Sequence, residues 1–136
     1  MIARLVGSVV MVAALAACQK ALRHVESRPL ASLKGTEWGT GDSPVEQFVA
    51  FKSDGEVVGS GGCNDFFGSF TQTGRLVTFG PLASTRKACP AAVMRAERDF
   101  LALLERVRAA EATWKELTLY GDDNQVLAVM RRRDWD

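Results

Sequence analysis

An apolar run from Leu5 to Leu15 is too short to span a membrane, and this decides which part of the chain is left to fold. A spanning helix takes about 20 apolar residues. Here Arg4 stands in front of the run and the polar pair Gln19 and Lys20 follows soon after it. A positive start, a short apolar stretch and a finish in small residues form the pattern of a secretory signal peptide. Residues 1–17 are therefore expected to be an address and not part of the fold. The rest of the 136-residue chain suits one domain, because domains commonly run to about 100–200 residues. The composition of the whole chain, 47% hydrophobic and 24% charged, predicts a packed core rather than a disordered tail.

The run ends in Leu15-Ala16-Ala17-Cys18, which resembles the bacterial lipobox. The resemblance implies acylation of the Cys18 thiol and removal of the peptide before it. Two or more acyl chains hold a protein stably on a bilayer, where one binds only marginally. The competing readings are an ordinary secretory peptide with an incidental Cys18, or an uncleaved anchor. Gln19 stands where Asp favours inner-membrane retention, so the resemblance points to the outer membrane, facing the periplasm. Residues 18–32 are expected to be a lipidated tether. They lack sustained apolar periodicity, and Pro29 discourages a helix running into the domain. The domain is expected over residues 33–136.

Charge and catalytic residue types remove several functions. Net charge is +1 and the basic run Arg131-Arg132-Arg133 is short, so no nucleic-acid partner is expected. The only histidine, His24, lies in the tether, out of reach of a packed site. Nucleophile–base pairs need a base within hydrogen-bond reach, and zinc sites usually use imidazole or several thiolates. Neither can be assembled, and no catalytic residue, metal or cofactor is assigned. With Cys18 taken by lipid, Cys63 and Cys89 are left, and an oxidising compartment makes a bridge between them the default. The alternative is a reactive thiol or redox pair at Cys63 and Cys89, although neither lies in a Cys-x-x-Cys motif.

Punctuation and periodicity from Leu33 onward predict short antiparallel strands. Glu46–Lys52 and Glu56–Ser60 flank Asp54-Gly55, a tight-turn pair. Gly59-Ser60-Gly61-Gly62-Cys63-Asn64 reads as a loop with close backbone approaches. It lacks the Lys-Ser/Thr ending of a phosphate-binding loop. Phe66–Thr71 and Arg75–Phe79 alternate as strands, with Phe66, Gly68 and Phe70 on one side. From Pro90 to Arg108 the period becomes helical, with Val93, Phe100, Leu103, Leu104 and Val107 inward and Arg95, Arg98, Asp99 and Arg106 outward. Glu116–Tyr120 and Val126–Arg131 then form a strand pair around Gly121-Asp122-Asp123-Asn124. The predicted class is α+β, with one main helix packed on a sheet. Trp38, Trp114 and Trp135 are open to core, rim or contact roles.

Three segments together resemble the META domain of HslJ-like bacterial lipoproteins. They are Gly62-Cys63-Asn64-Asp65-Phe66-Phe67-Gly68-Ser69-Phe70, Leu82-Ala83-Ser84-Thr85-Arg86-Lys87-Ala88-Cys89, and Glu97-Arg98-Asp99-Phe100 with Leu104. The opening Leu33-Lys34-Gly35-Thr36-Glu37-Trp38 matches as well, so the likeness runs from about Leu33 to about Arg133. Lys87 stands where Met is frequent, and Phe70 replaces a common Tyr. The resemblance implies a strongly curved, barrel-like antiparallel sheet, no known catalytic activity, and association with heat shock, novobiocin tolerance, secretion or virulence. It makes Gly62, Cys63, Asn64, Gly68, Thr85 and Cys89 the motif positions, for which an architectural role is expected. The chain is thus expected to be a non-catalytic module that binds an envelope protein or a small apolar ligand. The alternatives are a thiol-dependent envelope enzyme working through Cys63 or Cys89, and an inhibitor of a secreted hydrolase.

Overall fold

The structure is a computed structural model that describes residues 3–26, 28–41 and 45–133. The first element is a helix, α1 (Ala3–Glu26), exposed throughout residues 12–23. It passes through Cys18 without a break, so the first part of the expected tether is helical. Lys20, Ala21, Leu22 and Arg23 are strong helix formers, and their propensity carries the helix on. Pro29 follows three residues after its end, consistent with the disfavoured helical geometry at and before proline. No helix among the described residues is long and apolar enough to cross a membrane.

Nine strands among the described residues form one antiparallel sheet. They are β1 (Thr36–Gly39), β2 (Phe48–Phe51), β3 (Glu56–Ser60), β4 (Asp65–Thr73), β5 (Leu76–Phe79), β6 (Ala83–Ser84), β7 (Ala109–Ala112), β8 (Glu116–Tyr120) and β9 (Val126–Arg132). Helix α2 (Ala91–Glu105) separates β6 from β7. The sheet order β3-β2-β1-β9-β8-β7-β5-β4-β6 is joined on itself by a β3–β4 pairing, so it curves into a ring. β5 and β6 both pair with β4, over Phe70–Thr73 and Phe66–Phe67 respectively. The β5–β7 join is the thinnest seam: one Cα pair, Leu76 with Ala109, supported by backbone bonds from Val77 N to Arg108 O and from Ala110 N to Arg75 O.

Alternation along the strands explains the core. Val49 and Phe51 on β2, Val57 on β3, Phe66 and Phe70 on β4, Val77 on β5, and Leu117 and Leu119 on β8 are buried, as is Trp38 at 0% exposure. Phe51 and Phe70 meet edge to face with ring centroids 4.8 Å apart, a favoured aromatic geometry. The phenylalanine that replaces a common tyrosine thus lies inside this cluster. Helix α2 adds Phe100 and Leu104 to the core, Phe100 lying 6.1 Å from Phe66. Arg95, Arg98, Asp99 and Arg106 are exposed as its pattern predicts. The helix ends at Glu105, three residues before the expected boundary, because the chain must turn at Arg106–Arg108 to enter β7.

At one end of the ring, Leu33 is buried and Leu30 packs against the core. Leu30 N donates to Ala112 O at 2.8 Å, and Leu33 N donates to Gln72 Oε1 at 2.9 Å. The same end carries the turns at residues 52–55, 73–75 and 113–115. Arg132 stacks there between Trp38 and the half-exposed Trp114, 5.2 and 4.9 Å from the two rings. The third tryptophan, Trp135, lies outside the described residues, as do 42–44, 134 and 136 of the expected domain and 1, 2 and 27 of the expected leader and tether.

Candidate functional site

The other end of the ring gathers most of the motif residues. The chain leaves β3 at Ser60, turns through Gly61 and Gly62, and enters β4 at Asp65. Gly62 has φ +118°, a conformation open to glycine and costly for other residues. A Cβ on Gly61 would lie 2.4 Å from Glu97 Cγ, so this backbone tolerates no side chain at its approach to α2.

Glu97 is the hub of the site and is only 4% exposed. Its Oε2 accepts hydrogen bonds from Cys63 N at 2.9 Å and Asn64 N at 2.6 Å, and its Oε1 accepts from Asn64 Nδ2 at 2.8 Å. Burial alone would push this carboxyl above its ordinary range. The bonds from the backbone and side chain of Asn64, then that from Cys63, then the charge of Lys87, outweigh burial and lower its pKa. The site therefore holds a buried carboxylate whose charge is met by N–H donors of the loop.

Asn64, 3% exposed, carries the network outward. Its Oδ1 accepts from Thr85 Oγ1 at 2.9 Å and from Lys87 N at 2.6 Å, while its Nδ2 also donates to Lys87 O at 3.2 Å. Thr85 N donates to Asp65 O, and Asp65 N to Thr85 Oγ1. Lys87 is used here through its backbone, and its side chain is exposed, which accounts for a residue there other than the frequent Met. Cys63 and Cys89 are joined in a disulfide with Cα atoms 6.0 Å apart, closing a separation of 26 residues. Buried Gln47 reinforces the bracket by donating from Nε2 to Gly61 O and Ala96 O, each at 3.0 Å.

Gly62, Cys63, Asn64, Thr85 and Cys89 thus converge. Gly68 does not join them: it lies farther along β4, where a Cβ would meet Pro81 O at 2.7 Å. Cys18 is apart from both, exposed on α1. Sequence reasoning missed the role of Glu97. Its position, three and seven residues before Phe100 and Leu104, was the available signal, since it places a carboxylate on the apolar face of α2. Among the described residues no group of three or more His, Cys, Asp or Glu is placed to hold a metal ion. The chemical capacity of the arrangement is to fix a loop, since the two sulfurs are bonded to each other and Cys63 N, Asn64 N and Asn64 Nδ2 are engaged with Glu97.

The META domain family model matches residues 22–134. No curated protein matches the chain. Among solved structures, a protein from Burkholderia xenovorans determined by NMR is similar, with a TM-score of 0.63 at 20% identity, covering 75% of this chain and 84% of that one. A second protein determined by NMR gives a TM-score of 0.54 at 18% identity, covering 74% and 90% of the two chains. These two likenesses are of fold. The match over 22–134 spans the ring, α2 and the disulfide-bonded bracket together, and on that basis the chain belongs to the META domain family.

Proposed function

We propose that this chain is a lipid-anchored module of the bacterial envelope that acts by binding a protein, without catalysis, and supports tolerance of envelope stress such as heat or novobiocin. One observation carries the reading: the groups with chemical reach in the family motif are spent on architecture. Cys63 and Cys89 share a bond, and Glu97 accepts three hydrogen bonds from the loop it holds. A disulfide also accords with an oxidising compartment. Cys18, directly after Leu15-Ala16-Ala17 and exposed, is the residue suited to acylation. A cleft of about 430 Å³ at the rim, lined by Gly39, Thr40, Gly41, Glu46, Gln47 and Arg131–Arg133, offers charged and polar side chains to a protein partner.

Mass spectrometry of the protein taken from its native membrane tests the anchor and the sulfurs together. The expected result is an acylated Cys18 as the first residue and no alkylatable thiol at Cys63 or Cys89. Free thiols at both internal positions would return the thiol-enzyme reading. For the stress role, deletion of the gene is expected to lower survival under heat or novobiocin. Unchanged survival under both removes that part of the proposal.

A further inference from the structure

The end of the ring where the tether enters has the features of a surface held against lipid. Residues 30–33 are stapled to it: Leu30 N donates to Ala112 O, Leu33 N donates to Gln72 Oε1, and Gln72 Nε2 donates to Ala31 O at 3.4 Å. The attachment to the barrel therefore begins at Leu30, twelve residues after Cys18. With residues 18–26 helical, as in α1, and the next four fully extended, the reach of the tether is about 25 Å. A domain of this size is about 30 Å across. To bring the opposite end, with its Gly62–Asn64 loop, onto the bilayer, the tether would have to run the length of the barrel and give up its helix, since only fully extended, at about 40 Å, does it cover that length.

The side chains at the near end suit a headgroup layer. Trp114, at the tip of the β7–β8 turn, is 39% exposed, and Lys115 beside it is exposed. Lys34 and Lys52 are exposed on the adjoining loops. Tryptophan and lysine with apolar bodies and polar ends favour this depth of a membrane. Asp54, Glu56, Glu111 and Glu116 lie at the same end against Arg75, Arg132 and the three lysines, so its charge is close to balanced and gives little electrostatic pull toward anionic lipid.

We infer that the tether-entry end of the ring, with Trp114 and Lys115 at its tip, rests on the lipid headgroup layer, leaving the Glu97 bracket and the 85–89 segment facing away from the membrane. This rests on the proposed acylation of Cys18. The orientation presents the disulfide-bonded end to partners in the periplasm.

Lysine footprinting tests it without a mutation. The natively acylated full-length mature protein is bound to vesicles of phosphatidylethanolamine and phosphatidylglycerol. It is labelled with a water-soluble amine-acylating reagent, and each site is normalised to the same sample solubilised in mild detergent. Labelling of Lys34, Lys52 and Lys115 is expected to fall several-fold relative to Lys87, at the far end, with little change at high salt. Equal labelling of all four, or selective shielding of Lys87, overturns the orientation while leaving the anchor intact. Mass spectrometry of the same sample reads Cys18, and an unmodified thiol there overturns both. As a second readout, lipids brominated near the headgroup are expected to quench a Trp135→Phe protein, and the quenching is expected to be lost on adding Trp114→Phe. Quenching that survives the second substitution counts against the contact.

Discussion

At Glu97 burial and charge oppose each other, and hydrogen bonding decides the outcome. Glu97→Gln keeps the shape but removes the charge and turns one acceptor into a donor facing N–H groups. Bonds to charged groups are worth about 1.5–3 kcal/mol each, and an unmatched buried donor costs about 1–3 kcal/mol. A loss of roughly 2–4 kcal/mol in urea unfolding is the expected result. The pH dependence has a definite sign. Because the folded pKa of Glu97 is lowered, its contribution is present above the unfolded carboxylate value of about 4.3 and fades as pH falls through the lower folded value. Unfolding midpoints measured downward from pH 6 should therefore drop more steeply in the natural protein than in Glu97→Gln. Glu111 is lowered by Arg75 and Tyr120, but it is common to both proteins, so the difference between the curves isolates Glu97. Equal slopes would mean that the carboxylate is not linked to folding. The Gly61–Asn64 loop was legible because glycines beside a cysteine and an asparagine announce an unusual turn, whereas Thr85 was reached only through the family resemblance and Gln47 not at all. Glu97 was not, because a helical pattern assigns its buried face from apolar residues and a single carboxylate among them reads as solvated.

The strands that declared themselves did so by alternation: Phe66 and Phe70 against Phe67, or Val77 against Leu76, whose exposed and buried faces are those observed. β7 gave no such signal. Ala109-Ala110-Glu111-Ala112 has high helix propensity and follows a helix, yet it is a strand because β8 pairs with all four of its residues and β5 with its first. Tertiary pairing overrides propensity here. β1 was hidden differently, since Thr36-Glu37-Trp38-Gly39 is short and its pairing with β9 covers only Trp38 and Gly39. The thin β5–β7 seam makes β7 a sensitive element. Ala110→Pro removes the N–H that donates to Arg75 O at 2.9 Å, and proline in a sheet interior breaks the ladder. A loss of about 3 kcal/mol or more is expected in thermal or urea unfolding. In a variant that still folds, amide exchange at Val77, whose N–H bonds Arg108 O across the same seam, should accelerate. Unchanged exchange there would mean that the ring is held closed elsewhere.

For the molecule as a whole, the disulfide and the Glu97 bracket act on one loop from two directions. The bridge ties Cys63 to the 85–89 segment, and Glu97 ties Cys63 and Asn64 to α2. Closing 26 residues contributes roughly 3.5 kcal/mol through the entropy of the unfolded chain. Cys63→Ser with Cys89→Ser is thus expected to lose about 3 kcal/mol in urea unfolding, and reduction of the natural protein about as much. A loss below about 1 kcal/mol would show that the unfolded chain is already constrained there. The two devices share a residue, so their effects should not add. Once the bridge is gone the loop is freer to reorient, and Glu97 has less fixed geometry to reward. Glu97→Gln in the double-serine background should therefore cost less than in the natural protein, with a coupling of about 0.5–3 kcal/mol. Strict additivity in that cycle would separate the bridge from the carboxylate and leave the family motif as two neighbouring features rather than one unit.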